Sequence, residues 1–153
     1  MQTRETIAFT RFGWFVMLAI CLASCSFAKS PRKKICYPVR GSLFFKGRPA
    51  EGALVLLQPR ELGNPNEWSS GFPRARVSAD GSFAIETYKE KDGAPTGDYI
   101  MLLSWEIPNP PRPGRDDPGV TDKLGGRYSD PSKATLSTKI EDKPIELPPI
   151  RLQ

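Results

Sequence analysis

Two alternating runs, Arg74–Ala79 and Ser82–Tyr88, meet at Asp80-Gly81, and this stretch constrains the fold more tightly than any other. An Asp-Gly pair between alternating segments is the strongest short-range hairpin signal, because both residues tolerate the positive φ of a tight turn. One hairpin is not stable by itself, so further strands must cover its apolar face. The chain supplies them. Val39–Phe45 places Val39, Gly41 and Leu43 on one face and ends at Lys46-Gly47-Arg48-Pro49. Ala53–Gln58 is a continuous apolar run between Gly52 and Pro59, which predicts a strand buried on both faces. Gly97–Trp105 carries Tyr99, Met101 and Leu103 on one side, with Ile100 and Leu102 on the other. Leu136–Ile140 and Ile145–Leu152 follow, and Pro148-Pro149 marks the second as an edge strand or a bulge. Residues 60–73 and the proline-rich stretch 107–119 read as long surface loops. No segment has a helical period of useful length. These features predict an all-β, antiparallel sandwich of about seven strands.

The amino-terminal residues predict where the chain is delivered. Arg4 and Arg11 precede Phe12–Leu22, an uncharged apolar stretch of eleven residues. That is the pattern of a secretory signal and is short of the roughly 20 residues a membrane-spanning helix needs. Leu22-Ala23-Ser24-Cys25 closes the stretch and resembles the lipobox of bacterial lipoproteins. The resemblance implies removal of residues 1–24 and acylation of Cys25. Two or three acyl chains hold where one does not, at about 0.8 kcal/mol per buried methylene. Ser26-Phe27-Ala28 offers a competing cut, after which a soluble chain would be released. Residues 25–36 then form a lipidated tether, and residues 37–153 the folded domain. Lys29, Arg32, Lys33, Lys34 and Arg40 lie just after the anchor and exceed the whole net charge of +4 that remains once Arg4, Arg11 and Glu5 are removed. Lys29, Arg32, Lys33 and Lys34 are therefore candidates for contact with anionic headgroups, each adding about 1 kcal/mol. A plain solvated linker is the alternative. Nucleic acid is not an expected partner for an exported chain.

A longer pattern runs through the domain. Ala79-Asp80-Gly81-Ser82-Phe83-Ala84-Ile85 is followed by Tyr88 and by Asp92-Gly93-Ala94-Pro95-Thr96-Gly97-Asp98-Tyr99. With Gly41, Lys46-Gly47-Arg48-Pro49 and Arg127-Tyr128-Ser129-Asp130-Pro131, this set resembles the carboxypeptidase regulatory-like, transthyretin-like domains of short envelope lipoproteins. The resemblance spans roughly 37–152. It implies a transthyretin-like or immunoglobulin-like sandwich, in a protein held at the cell-envelope membrane and facing the periplasm or exterior. The long 60–73 and 106–123 loops depart from simpler members.

Chemistry is sparse. The sequence has no histidine, which removes the commonest general base and every Ser-His-Asp or Cys-His arrangement. It also tells against the hydroxyisourate hydrolases, the enzymatic branch of the transthyretin-like proteins. With Cys21 removed and Cys25 acylated, Cys36 is a lone thiol expected to be buried at the first strand. Asp80, Asp92 and Asp98 read as turn architecture in preference to a calcium site, and no metal or cofactor is predicted. Trp68, Trp105 and Tyr128 are the candidates for ligand contact, as an aromatic platform for a glycan at one end of the sandwich. The leading expectation is a non-enzymatic, lipid-anchored structural or interaction module that contacts another envelope protein. A carbohydrate-binding module is the alternative.

Overall fold

The computed structural model describes residues 33–68, 70–111 and 119–153. They fall within the compact unit Pro31–Gln153. Cys25, Lys29, Arg32 and the whole leader lie outside the described residues, as does the Asp116-Asp117 pair of the proline-rich loop. Strand segments in chain order are β1 (Cys36–Tyr37), β2 (Val39–Phe45), β3 (Arg48–Pro49), β4 (Leu54–Pro59) and β5 (Arg74–Arg76). They continue with β6 (Ser82–Ala84), β7 (Ala94–Pro95), β8 (Gly97–Ser104), β9 (Glu106–Pro108) and β10 (Val120–Asp122). The last are β11 (Ser137–Ile140), β12 (Ile145–Glu146) and β13 (Ile150–Leu152). Among the described residues no helix is long and apolar enough to cross a membrane.

The protein is an all-β sandwich. One sheet has the antiparallel order β11-β8-β4-β5. The other is built around β2, with β3 and β6 antiparallel along it and β12 and β13 parallel to it. The antiparallel sandwich expected from the sequence is present, and it carries a parallel edge at β12 and β13. After β11 the chain crosses between the sheets, so Ile145–Leu152 arrives beside β2 running in the same direction. The predicted proline effect is present: Leu147–Pro149 separates β12 from β13, and both segments pair with β2 alone.

Alternation decides which face each strand buries. Val39 and Leu43 of β2, Val55 and Leu57 of β4, and Tyr99, Met101 and Leu103 of β8 fill the space between the sheets. Phe83, Ile85, Ile140 and Leu152 complete the core. The expectation that Ala53–Gln58 is buried on both faces is corrected. Val55 and Leu57 are fully covered, whereas Leu54, Leu56 and Gln58 are half-buried. An apolar run does not reveal which side a partner sheet occupies. Tyr99 is buried to the hydroxyl, which donates to the Pro95 carbonyl at 2.9 Å and satisfies the one polar atom the ring carries inward.

The Asp-Gly turn forms as predicted. Gly81 adopts φ +87°, and Asp80 Oδ1 accepts from the Ser82 N–H at 2.9 Å. Its two arms, however, part company: β5 joins β4 in one sheet and β6 joins β2 in the other. They stay bonded at both ends. Arg74 and Glu86 exchange N–H···O bonds of 2.9 and 2.8 Å, and the Ser78 N–H donates to Ser82 O at 2.8 Å. Between these rungs Arg76 and Ala84 form no bridge, since Arg74 with Glu86 is an isolated one and β5 and β6 pair with β4 and β2. Antiparallel ladders place a mutually bonded pair at every second residue, so one rung is missing where the sandwich opens.

The Asp92-Gly93 turn fixes the start of the domain. Asp92 accepts from the N–H groups of Thr87, Tyr88 and Lys89 at 2.7, 3.0 and 3.0 Å. Gly93 sits so close under β1 that a Cβ would lie 1.7 Å from the Tyr37 carbonyl oxygen. Only glycine permits this approach, and its φ of +90° requires glycine independently.

Candidate functional site

Three surface features carry side chains capable of recognition. The first is at the start of the described residues, around Lys33 and Lys34. Trp68 closes a 3-10 turn, Pro65–Trp68, inside the long loop. Its indole N–H donates to the Leu62 carbonyl at 2.8 Å, and its ring meets Phe72 edge-on at 5.5 Å. Lys34 Nζ lies 5.1 Å over the Trp68 ring and 2.8 Å from Glu67 Oε2. Lys33 Nζ stands 5.6 Å over the Tyr88 ring. The backbone joins in, since the Lys34 N–H donates to the Tyr88 hydroxyl at 3.3 Å. Each cation–π contact at such a site contributes about 0.5–1 kcal/mol. Lys33 and Lys34, two of the residues expected to face lipid, are thus occupied by the domain's own rings. Cys36 is half-buried beside them. Burial pushes its thiol up, against a hydrogen bond from Thr87 and with the Asp92 charge acting in the same direction as burial. A protonated thiol is a poor nucleophile.

The second feature lies at the other end of the strands. Trp105 follows β8, while Trp68 follows β4, whose last residue pairs with the beginning of β8. Eight residues of strand separate these ends by about 26 Å. Trp105 packs edge-on against Phe45 at 6.1 Å and carries Lys123 Nζ 4.1 Å over its ring. Lys46 covers Phe45 at 5.1 Å, and Arg151 covers Phe44 at 5.3 Å. Tyr128 is half-buried against the core near the end of β8, its carbonyl accepting from the Leu103 N–H at 2.9 Å. The structure leaves Tyr128 and Trp105 at one end and puts Trp68 at the other. The three do not form one platform.

Asp122 organises this second end. Its carboxylate accepts from the N–H groups of Trp105, Leu124 and Gly126 at 2.8, 3.0 and 2.9 Å. Burial raises its pKa, but the Leu124, Trp105 and Gly126 donors together outweigh that and hold it below the ordinary carboxylate range. Asp80 and Asp92 are committed to their own turns. Among the described residues no group of three or more His, Cys, Asp or Glu side chains is placed to hold a metal ion.

The third feature was not anticipated. A groove of about 990 Å³ lies over the seam between β5 and β6, lined by Arg40, Arg74, Arg76, Glu86 and Glu146 with Ala84 among them. The Arg76 Nη1–H donates to the Gly52 carbonyl at 3.2 Å, and no ion pair joins these arginines to these glutamates among the described residues. The sequence signal was present as Arg74 and Arg76 two apart on a strand. That Arg40 stands nearby follows only from the pairing of β2 with β6.

No family model matches the chain, and no curated protein matches it. Among solved structures, the chain is similar to a 9R-lipoxygenase from Cyanothece PCC8801, with a TM-score of 0.41 and 14% identity. The likeness covers 94% of this chain and 21% of that one, so the chain spans about a fifth of the lipoxygenase's length.

Proposed function

We propose that this chain is a lipid-anchored cell-envelope protein, exported and acylated at Cys25, whose β-sandwich is a non-catalytic structural or interaction module of the carboxypeptidase regulatory-like, transthyretin-like kind. The observation that carries the reading is the docked tether. Lys33 and Lys34 are drawn onto Trp68, Tyr88 and Glu67, which leaves residues 26–32 between the anchor and the domain. Seven residues reach at most about 25 Å when extended. A sandwich so fastened stays close to the membrane surface, with Lys29 and Arg32 nearest the headgroups. A free sandwich would have little use for such a leash. Glycan binding through Trp68 is the weaker reading, because Lys34 and Phe72 already contact its ring.

Labelled palmitate separates the possibilities. Incorporation that disappears in Cys25→Ser, together with a mature amino terminus at residue 25, is the expected result. Unlabelled chain recovered free of membranes, with its terminus after Ala28, would refute the anchor.

A further inference from the structure

We propose that the outer face of the β11-β8-β4-β5 sheet rests on the surface of an anionic lipid bilayer. An antiparallel sheet that meets only water on one side carries polar residues there. This one carries aliphatic residues. Leu54 and Leu56 of β4 and Ile100 and Leu102 of β8 point away from the core, alternating with Val55, Leu57, Met101 and Leu103, which fill it. None of the four belongs to the core cluster or packs against it. Leu54, Leu56 and Ile100 are half-buried, and Leu102 is 7% exposed. Register joins them into one patch, since Leu56 stands opposite Leu102, with Leu54 and Ile100 diagonal to that pair. The other sheet differs. Its outward positions include Arg40, Ser42 and Phe44 on β2, Ala84 on β6 and Glu146 on β12, and Arg151 covers the Phe44 ring. The second cover that the apolar run Ala53–Gln58 calls for is the bilayer.

Charge around the patch selects the lipid. Arg74 and Arg76 of β5 stand opposite Leu56 and Leu54 along one side. At the end of the face, Lys139 of β11 pairs with Asp98, whose carbonyl accepts from the Arg60 N–H. No ion pair engages any of these four cations among the described residues. The acids beside them are Asp98 and Glu86, which pairs with Arg74, so the rim keeps a positive surplus. A cationic rim round an aliphatic centre suits phosphate headgroups above acyl chains. Two neighbouring strands give a patch about 10 Å wide, far short of the roughly 800 Å² a side that a stable protein interface buries. The pose is reachable. β1 pairs with β7, which ends just before β8 begins, so the first described residues lie at the end of the face that holds Asp98 and Lys139. This inference rests on the membrane anchoring proposed above and names the face that meets the bilayer.

The test places nitrogen-labelled full chain in bicelles that carry a nitroxide on some headgroups. Amides of Leu54, Leu56, Ile100 and Leu102 should broaden in bicelles with phosphatidylglycerol, and much less in phosphatidylcholine alone. Those of Arg40, Ser42 and Ala84 on the other sheet should stay sharp. Arg74→Gln and Arg76→Gln should each cut the face-bound population about fivefold, the scale of one cation near anionic lipid. Broadening confined to Lys33–Cys36, equal broadening of both sheets, indifference to phosphatidylglycerol, or protection of the same amides by a second copy without lipid would each overturn the proposal. Should a variant fail to fold, the two lipid compositions compared on the parent chain decide the matter. The mass of the same sample reports acylation at Cys25. A chain without acyl groups that still shows this pattern at high lipid loses the anchor and keeps the face; an acylated chain without the pattern keeps the anchor and loses the face.

Discussion

The two ends of the sandwich use the same chemistry, aromatic rings under lysine or arginine, yet differ in where the cations come from. At the far end Lys46 neighbours Phe45 in sequence, Arg151 pairs with Phe44 across β13 and β2, and Lys123 follows the aspartate that caps Trp105. The sheet brings these partners together whatever the attraction contributes. At the tether end Lys34 meets Trp68 and Glu67 more than thirty residues later, and its amide meets Tyr88 at a separation of 54. The β1–β7 ladder brings the segment as far as Cys36, and Lys34 makes its contacts with that shelf two residues beyond the ladder. A cation–π contact between neighbours covers a ring; one across sequence distance fastens a segment.

The strongest way to break the contrast is Gly93→Ala. The added methyl collides with the Tyr37 carbonyl, so β1 must leave β7, at an expected cost of about 3–4 kcal/mol by chemical denaturation. Amides at the tether end should lose exchange protection while those of Trp105 and Leu124 keep theirs. Equal loss at both ends would show that the ends are not separable. Next comes Asp122→Ala at the far end, expected to cost about 2 kcal/mol, because three backbone donors lose a charged acceptor. The folded chain holds this carboxylate below its ordinary value of 3.8. Its contribution is therefore present above that pH and is lost as pH falls through the folded value, so parent and variant should converge in strongly acidic solution. A gap unchanged by acid would assign the loss to packing alone.

Much of the contrast was hidden from the sequence for a physical reason. The Asp-Gly turn, the face of β2 and the whole of β8 were legible, because turn chemistry and alternation are local. Whether the arms of the turn stay together depends on which sheet each joins, and that is set by β4 and β2, far away in the chain. The parallel approach of β12 and β13 is equally non-local. Lys33 and Lys34 read as a basic run, which describes charge and says nothing about a ring waiting elsewhere.

Smaller substitutions sharpen the comparison. Lys34→Ala removes an ion pair and a ring contact together, worth about 1 kcal/mol, and should speed amide exchange at Lys34 and Cys36 and expose the tether to proteolysis. An unaltered cleavage pattern would mean that the shelf does not hold the segment. Lys123→Ala should cost the least, about 0.5 kcal/mol in a thermal melt, with no change in tether exchange. Any effect on the tether would join the two ends.

The parallel edge has a temporal consequence. Val39 and Leu43 take their neighbours Ile145 and Ile150 from about a hundred residues downstream. A sheet closed by so distant a segment searches long before it gains, and folding slows with such separations. The β11-β8-β4-β5 sheet assembles from nearer segments and can form while the chain is still incomplete. The β2 sheet must wait for β13, so during synthesis this face of the sandwich closes after the other has had time to form.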